Sequence, residues 1–388
     1  MGPNILIDKS TLQSLSRRED RDEISHLFHH YEVIICRTLL LEILGDLSKE
    51  TSSPDDVVQE LSHKLTPLDS KVIPAWQELC AGNLLGQAVP MDGRPIIREG
   101  TPVTLADGRK IIFFDETEEM KLLRKWQVKG FTESERRFAK ERREAYESQN
   151  LEAMLQTMRP VLKEKKKFKS LEEAKGFINQ SLSNSDKAIQ QNWLGYLLNL
   201  LQISAELTTL IYNRWLKLGM PTIGIFAPYG EYCIKAITLF VVGTVNGFVS
   251  TKNTNPIDLE YLYYLPFCQV FTTKDIFQKK MSQHLLRADQ EFIPCEILKQ
   301  DLARISEEHS RQLKAQAPEE RTLYERYPPD LENSVTLQMW KKYMAPKRKN
   351  PFAKMTPELH KQIMEQVRPV ISAITQHERK ESNFNAPV

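Results

Sequence analysis

The sequence predicts an α/β protein in which a few short strands lie among many helices. Three observations predict it. Helix formers and charged residues dominate, the latter at 27%, while glycine supplies only 15 of 388 positions, a composition that favours helices. Short β-prone runs, "NILI", "YEVIIC", "FCQVFTT" and "EFIPCEIL", are separated by long stretches of helical spacing. Acids stand where runs end: Asp8 closes the first and Asp275 follows the third.

Taken in order, residues 4–7 are a strand bounded by Asp8, and residues 10–30 are helical. "YEVIIC", 31–36, is a second strand. "TLLLEILGDLSK", 38–49, is amphipathic at helical period, with Glu42, Asp46 and Lys49 on the polar stripe and Leu40, Leu44 and Leu47 on the apolar side. Pro and Ser at 52–54 mark a loop. "GTPVTLADGRKIIFF", 100–114, has the pattern of a β-hairpin around Ala-Asp-Gly. Residues 116–182 are charged and helical. An apolar helical pattern over 186–218 ends at Gly219, with Pro221 beyond it. Gly230–Val249 is a buried helix. Its most apolar part, Ala236–Val249, is shorter than the ~20 residues a membrane span requires. "NPIDLEYL" then opens a helix with Pro256 in its first turn, and the third strand follows. Residues 291–298 hold one more strand. From about 300 the chain is charged and proline-dotted, helical in parts and loosely packed at its end. No internal repeat is visible.

Composition excludes several function classes. A net charge of +2 and a pI near 8.1 are not those of a globally cationic nucleic-acid binder, so such contacts fall to local patches. Cys36, Cys80, Cys233, Cys268 and Cys295 are scattered, without CxxC or zinc-finger spacing, and imply buried thiols in a cytoplasmic protein. The N-terminus lacks a signal-peptide pattern. No GxxxxGK or GxSxG motif occurs.

The acids carry the chemistry. In an open α/β sheet, strand C-termini and the adjoining helix N-termini share one edge, where sites form. Asp8 ends a strand, Glu42 rides the helix after the second strand, Asp258 lies in the first turn of a helix and Asp275 ends a strand. Carboxylates gathered there repel one another unless a divalent cation compensates. Mg²⁺ and Mn²⁺ prefer hard oxygen ligands, so the cluster predicts metal-assisted phosphodiester hydrolysis. Asp46, one turn from Glu42, is an alternative ligand.

Two blocks, "ILIDKSTLQSL" with "EVIICRTLLLEILGDL" and "NPIDLEYLYYLPFCQVFTTKDIF", resemble the PIN-domain nucleases. The resemblance covers about a third of the chain. It implies a parallel sheet flanked by helices, with Asp8, Glu42, Asp258 and Asp275 as Mg²⁺ or Mn²⁺ ligands. Ser10 and Thr273 would support them. It implies further a bacterial-type metal-dependent nuclease acting on RNA and leaving a 5′-phosphate. The 200 or so residues between the blocks depart from compact family members. Residues 1–50 and 186–299 then form a discontinuous core, 51–185 a mostly helical insertion, and 300–388 a helical extension. A non-catalytic scaffold that binds a partner, a nuclease acting on DNA, and a regulatory protein partner are the alternatives.

Each acid also has a structural reading. Asp8 or Ser10 caps the next helix, Glu42 sits on a solvated face, Asp258 complements a helix dipole, and Asp275 caps the helix from 276. His26, His29 and His30 have metal-like spacing but fit a surface helix face. "ERRFAKERRE", 135–144, fits an exposed, salt-bridged helix. Lys165, Lys166 and Lys167, with Phe168, and Lys347, Arg348 and Lys349, with Phe352, are the patches suited to phosphates, the aromatics suited to stacking.

Overall fold

The computed structural model describes residues 2–18, 21–50, 53–65, 71–96, 101–104, 110–113, 117–147, 167–250, 252, 254–315, 326–346 and 365. They form two compact units, Met1–Ile97 with Glu118–Ala345, and Arg98–Thr117 with Pro346–Val388.

The first unit is built on a five-stranded sheet: β1 (Asn4–Ile7), β2 (Glu32–Cys36), β3 (Lys71–Ile73), β4 (Val270–Thr273) and β5 (Glu291–Pro294). The order is β3-β2-β1-β4-β5, and every pairing is parallel. β1 lies at the centre, with Ile5 opposite Val33 on one side and Val270 on the other. All of β2 and β4 is buried. Continuous apolar runs are what a parallel sheet covered by helices on both faces requires.

β3 carries no pattern of its own in the sequence. Its three residues, "KVI", are recruited by pairing of Val72 with Ile35. The helix expected over 10–30 is two helices, Lys9–Ser14 and Glu23–His30. Asp22 starts the second by accepting from the Ser25 N–H at 3.0 Å. The apolar pattern over 186–218 is likewise broken into Lys187–Leu200 and Ala205–Lys217, capped by Asp186 and Ser204. Gly219, at φ 79°, ends the latter as expected. Pro228–Val245 is the buried helix, and among the described residues no helix is long and apolar enough to cross a membrane.

The described residues between 300 and 346 pack firmly, while the end of the chain, expected to be loosely packed, lies outside the described residues. The helices Cys295–Ala315 and Val335–Tyr343 close over Glu23–His30. Asp301 accepts from the Ser334 hydroxyl at 3.0 Å and the Thr336 N–H at 2.8 Å. The Trp340 indole donates to the His30 carbonyl at 2.7 Å. The histidines are therefore no surface face. His26 and His30 are buried, and the His26 ring meets His309 edge-on at 5.6 Å. Burial, aided by neighbouring imidazoles, pushes His26 down to about 4 and His30 to about 3.

The helix Glu133–Glu147 carries the 135–144 charges. It is tied to other elements, Arg136 to both oxygens of Asp55 at 2.8 and 2.7 Å and Arg142 to Glu260 at 3.7 Å. In the second unit the expected hairpin is present, Thr101–Thr104 antiparallel to Lys110–Phe113.

Candidate acidic site at the sheet edge

Asp8 leaves the C-terminal end of β1 and caps the helix Lys9–Ser14. Its Oδ1 accepts from the Thr11 N–H at 2.8 Å. Its Oδ2 accepts from the Ser10 hydroxyl at 2.6 Å and the Thr273 hydroxyl at 2.8 Å. Thr273 ends β4, next to β1, so parallel pairing alone brings the two residues together. Thr273 Oγ1 also accepts from the Asp275 N–H at 2.9 Å, so one hydroxyl links the acids that follow both strands. Asp275 caps the helix Ile276–Leu285 through the Gln278 N–H at 2.8 Å. The capping readings of Asp8 and Asp275 thus hold alongside their placement at the sheet edge.

Glu42 stands on the helix Arg37–Gly45 after β2, and not on a solvated face. Its Oε2 accepts from the Tyr261 hydroxyl at 2.6 Å. Burial raises its carboxyl above the usual range, against the pull of Lys9 and Tyr261, with Asp8 and Asp46 adding to the rise. Asp258, in the first turn of Asn255–Leu262, is pushed up to about 8. Burial is the largest cause, followed by the charges of Asp275, Glu42 and Asp8. The four predicted acids therefore share one electrostatic environment.

Asp46, the alternative ligand, is engaged through its Oδ1, while its buried Oδ2 has no hydrogen-bond partner among the described residues. It is held by Lys9 at 2.6 Å and Lys49 at 2.7 Å. Lys9, which looks unremarkable in the sequence, is buried and also donates to the Glu42 carbonyl at 3.0 Å. Tyr261 and Gln278 are further residues that sequence reasoning missed. Gln278 is three positions after the capping Asp275, where a capping-box side chain would return to the cap. Its Nε2 instead reaches Asp258 Oδ1 at 3.3 Å.

The donor set is all oxygen, the ligand type a hard divalent cation prefers. The buried Gln278 Oε1 beside it has no hydrogen-bond partner. Among the described residues, no three His, Cys, Asp or Glu side chains stand close enough to enclose an ion as placed. A cation would have to draw the carboxylates inward.

Of the basic residues, Lys167 is exposed, while Lys165, Lys166, Lys347, Arg348 and Lys349 lie outside the described residues, as does Phe352. Phe168 is no stacking platform. It is buried, packs its ring 5.5 Å from that of Phe177, and donates its N–H to Asn246 Oδ1. No family model matches the chain, and neither a curated protein nor a solved structure is significantly similar to it.

Proposed function

We propose that the protein is a metal-dependent nuclease that hydrolyses phosphodiester bonds, with RNA as its substrate and a 5′-phosphate product. What supports the reading is that one hydroxyl, Thr273, joins Asp8 to the Asp275 N–H at the C-terminal ends of β1 and β4, and that Gln278 ties Asp258 to Asp275. A core that gathers mutually repelling acids loses stability unless the arrangement serves binding. Asp8, Glu42, Asp258 and Asp275 would hold Mg²⁺ or Mn²⁺. When bound, such an ion supplies Lewis-acid activation of water and of the departing oxygen. Ser10 and Thr273 fix both lone-pair directions of Asp8 Oδ2, Tyr261 fixes Glu42, and Gln278 couples Asp258 to Asp275. These hydrogen bonds hold the first carboxylates in place before substrate arrives.

A non-catalytic binding role is the second reading. The buried Lys9 ammonium, already against Asp46 and the Glu42 carbonyl, favours it because a resident cation lowers the need for a metal. Digestion of single-stranded RNA, single-stranded DNA and duplex DNA with Mn²⁺ separates the readings. The nuclease reading expects cleavage of RNA and a loss of at least about 100-fold in Asp8→Asn, on the scale of losing one charge-stabilising group. It also expects Mn²⁺ to raise the melting temperature of the wild type by mass action and to leave Asp8→Asn unmoved. Uncut nucleic acid and an unmoved melting temperature in the wild type would leave the binding role.

A further inference from the structure

A pocket of about 330 Å³ opens one helical turn from the acids. Its wall is shared by three parts of the first unit: Arg37 at the start of the helix after β2, Trp76 and Glu78 after β3, and Phe138 and Arg142 of Glu133–Glu147. Glu260, two residues beyond Asp258, completes it. Thr38 donates to Glu260 at 3.0 Å and lies one turn before Glu42, so this contact is the seam between pocket and acidic site. Four residues of helix span about 6 Å, so the pocket and Glu42 are neighbours along one helix.

The lining has a distinctive balance. Its two guanidinium groups are matched by two carboxylates, Arg37 with Glu78 at 3.1 Å and Arg142 with Glu260 at 3.7 Å. A bare phosphate would meet as much negative as positive charge there. The aromatic walls are Trp76, Phe138 and Tyr264. Trp76 is buried against Tyr263, ring centroids 4.4 Å apart, and its indole Nε1 has no hydrogen-bond partner among the described residues. Phe138 is 42% exposed at the rim. Donors, acceptors and flat apolar faces in one small cleft suit a planar heterocycle that itself offers donors and acceptors. The volume lies at the low end of the range for ligand sites, about 300–1,000 Å³.

We infer that this pocket binds a nucleobase, unstacked from a single strand whose neighbouring phosphate lies at the acids. The inference rests on the nuclease reading for the identity of the strand, and it makes single-stranded nucleic acid the substrate class. A duplex keeps its bases stacked and paired and cannot place one in the cleft without opening.

The test separates this proposal from the reading beneath it by removing catalysis. Full-length protein is titrated in EDTA against an end-labelled 12-nucleotide single strand, its duplex, and a nucleoside monophosphate. Binding is read by anisotropy and by quenching of tryptophan emission. The wild type is expected to bind the single strand at least about 5-fold more tightly than the duplex. Phe138→Ala and Arg37→Ala are expected to weaken single-strand binding about 5- to 100-fold, the scale of one lost base stack. Both side chains are exposed, so melting temperatures should stay put and confirm folding. A monophosphate that competes and is weakened by the same substitutions places recognition in the base. Competition that ignores both substitutions overturns the proposal. So does single-strand binding unchanged in both variants, or absent from the wild type. Mn²⁺-dependent cleavage, assayed separately, would survive that result; its absence, with base binding intact, would sink only the nuclease reading.

Discussion

At the scale of single residues, Asp258 shows what the acidic edge costs the fold. Its carboxyl ionises near 3.8 in an unfolded chain and at about 8 in place, chiefly because it is buried and then because Asp275, Glu42 and Asp8 repel its charge. The folded state therefore holds a proton that the unfolded state has released. This contribution is fully present below pH 3.8 and is lost as pH rises to about 8. Asp258→Asn should abolish that loss. We expect the variant to be more stable than the wild type at pH 8 by on the order of 1–4 kcal/mol, with a smaller gap at pH 5. Urea unfolding of both proteins at the two pH values measures it, and equal gaps would contradict the shared environment. Mn²⁺ should narrow the gap at pH 8 by stabilising only the wild type.

Single elements show why some of this was legible and some was not. β1, β2 and β4 are apolar runs, β1 closed by Asp8 and β4 by a Thr-x-Asp, and a strand buried on both faces has no alternation to obscure it. Asp8, Asp258 and Asp275 were legible because each follows a strand or opens a helix, and Glu42 because it stands on the polar stripe of the helix after β2, positions set by local sequence. β3 was not, because three residues make no pattern and its pairing with β2 supplies the order. The roles of Lys9, Tyr261 and Gln278 depend on which helix lies opposite, a tertiary fact that no spacing encodes. The histidines were misjudged for the same reason: Glu23, Ser25 and three imidazoles give Glu23–His30 a polar look, but the helices Cys295–Ala315 and Val335–Tyr343 pack over it. That packing has its own pH signature. His26 and His30 stay neutral in the fold, at about 4 and 3, against 6.5 unfolded. Their contribution is fully present above pH 6.5 and is lost as pH falls through 6.5 toward 3. Each ring should cost about 2 kcal/mol by pH 5. His26→Leu should therefore lose less stability than the wild type between pH 7 and pH 5 in urea titrations, and identical losses would count against burial of the ring.

For the whole molecule, late residues secure early ones. Trp340 reaches His30, Tyr343 donates to the Gln269 carbonyl just before β4, and Thr273 seals Asp8. Trp340→Ala should cost about 3–5 kcal/mol, the usual penalty for emptying a large buried aromatic site. Denaturant unfolding with an unchanged slope would show that the loss is one of stability and not of cooperativity. The pairing of the strand at 4–7 with that at 270–273 also has a consequence for biosynthesis. Thr273 stands 265 residues after its partner Asp8. At roughly 5–20 residues per second, a ribosome takes tens of seconds to supply that partner. Throughout that interval one side of the innermost strand offers bare amides to any passing polypeptide, and escape from aggregation depends on something shielding it until β4 has been made.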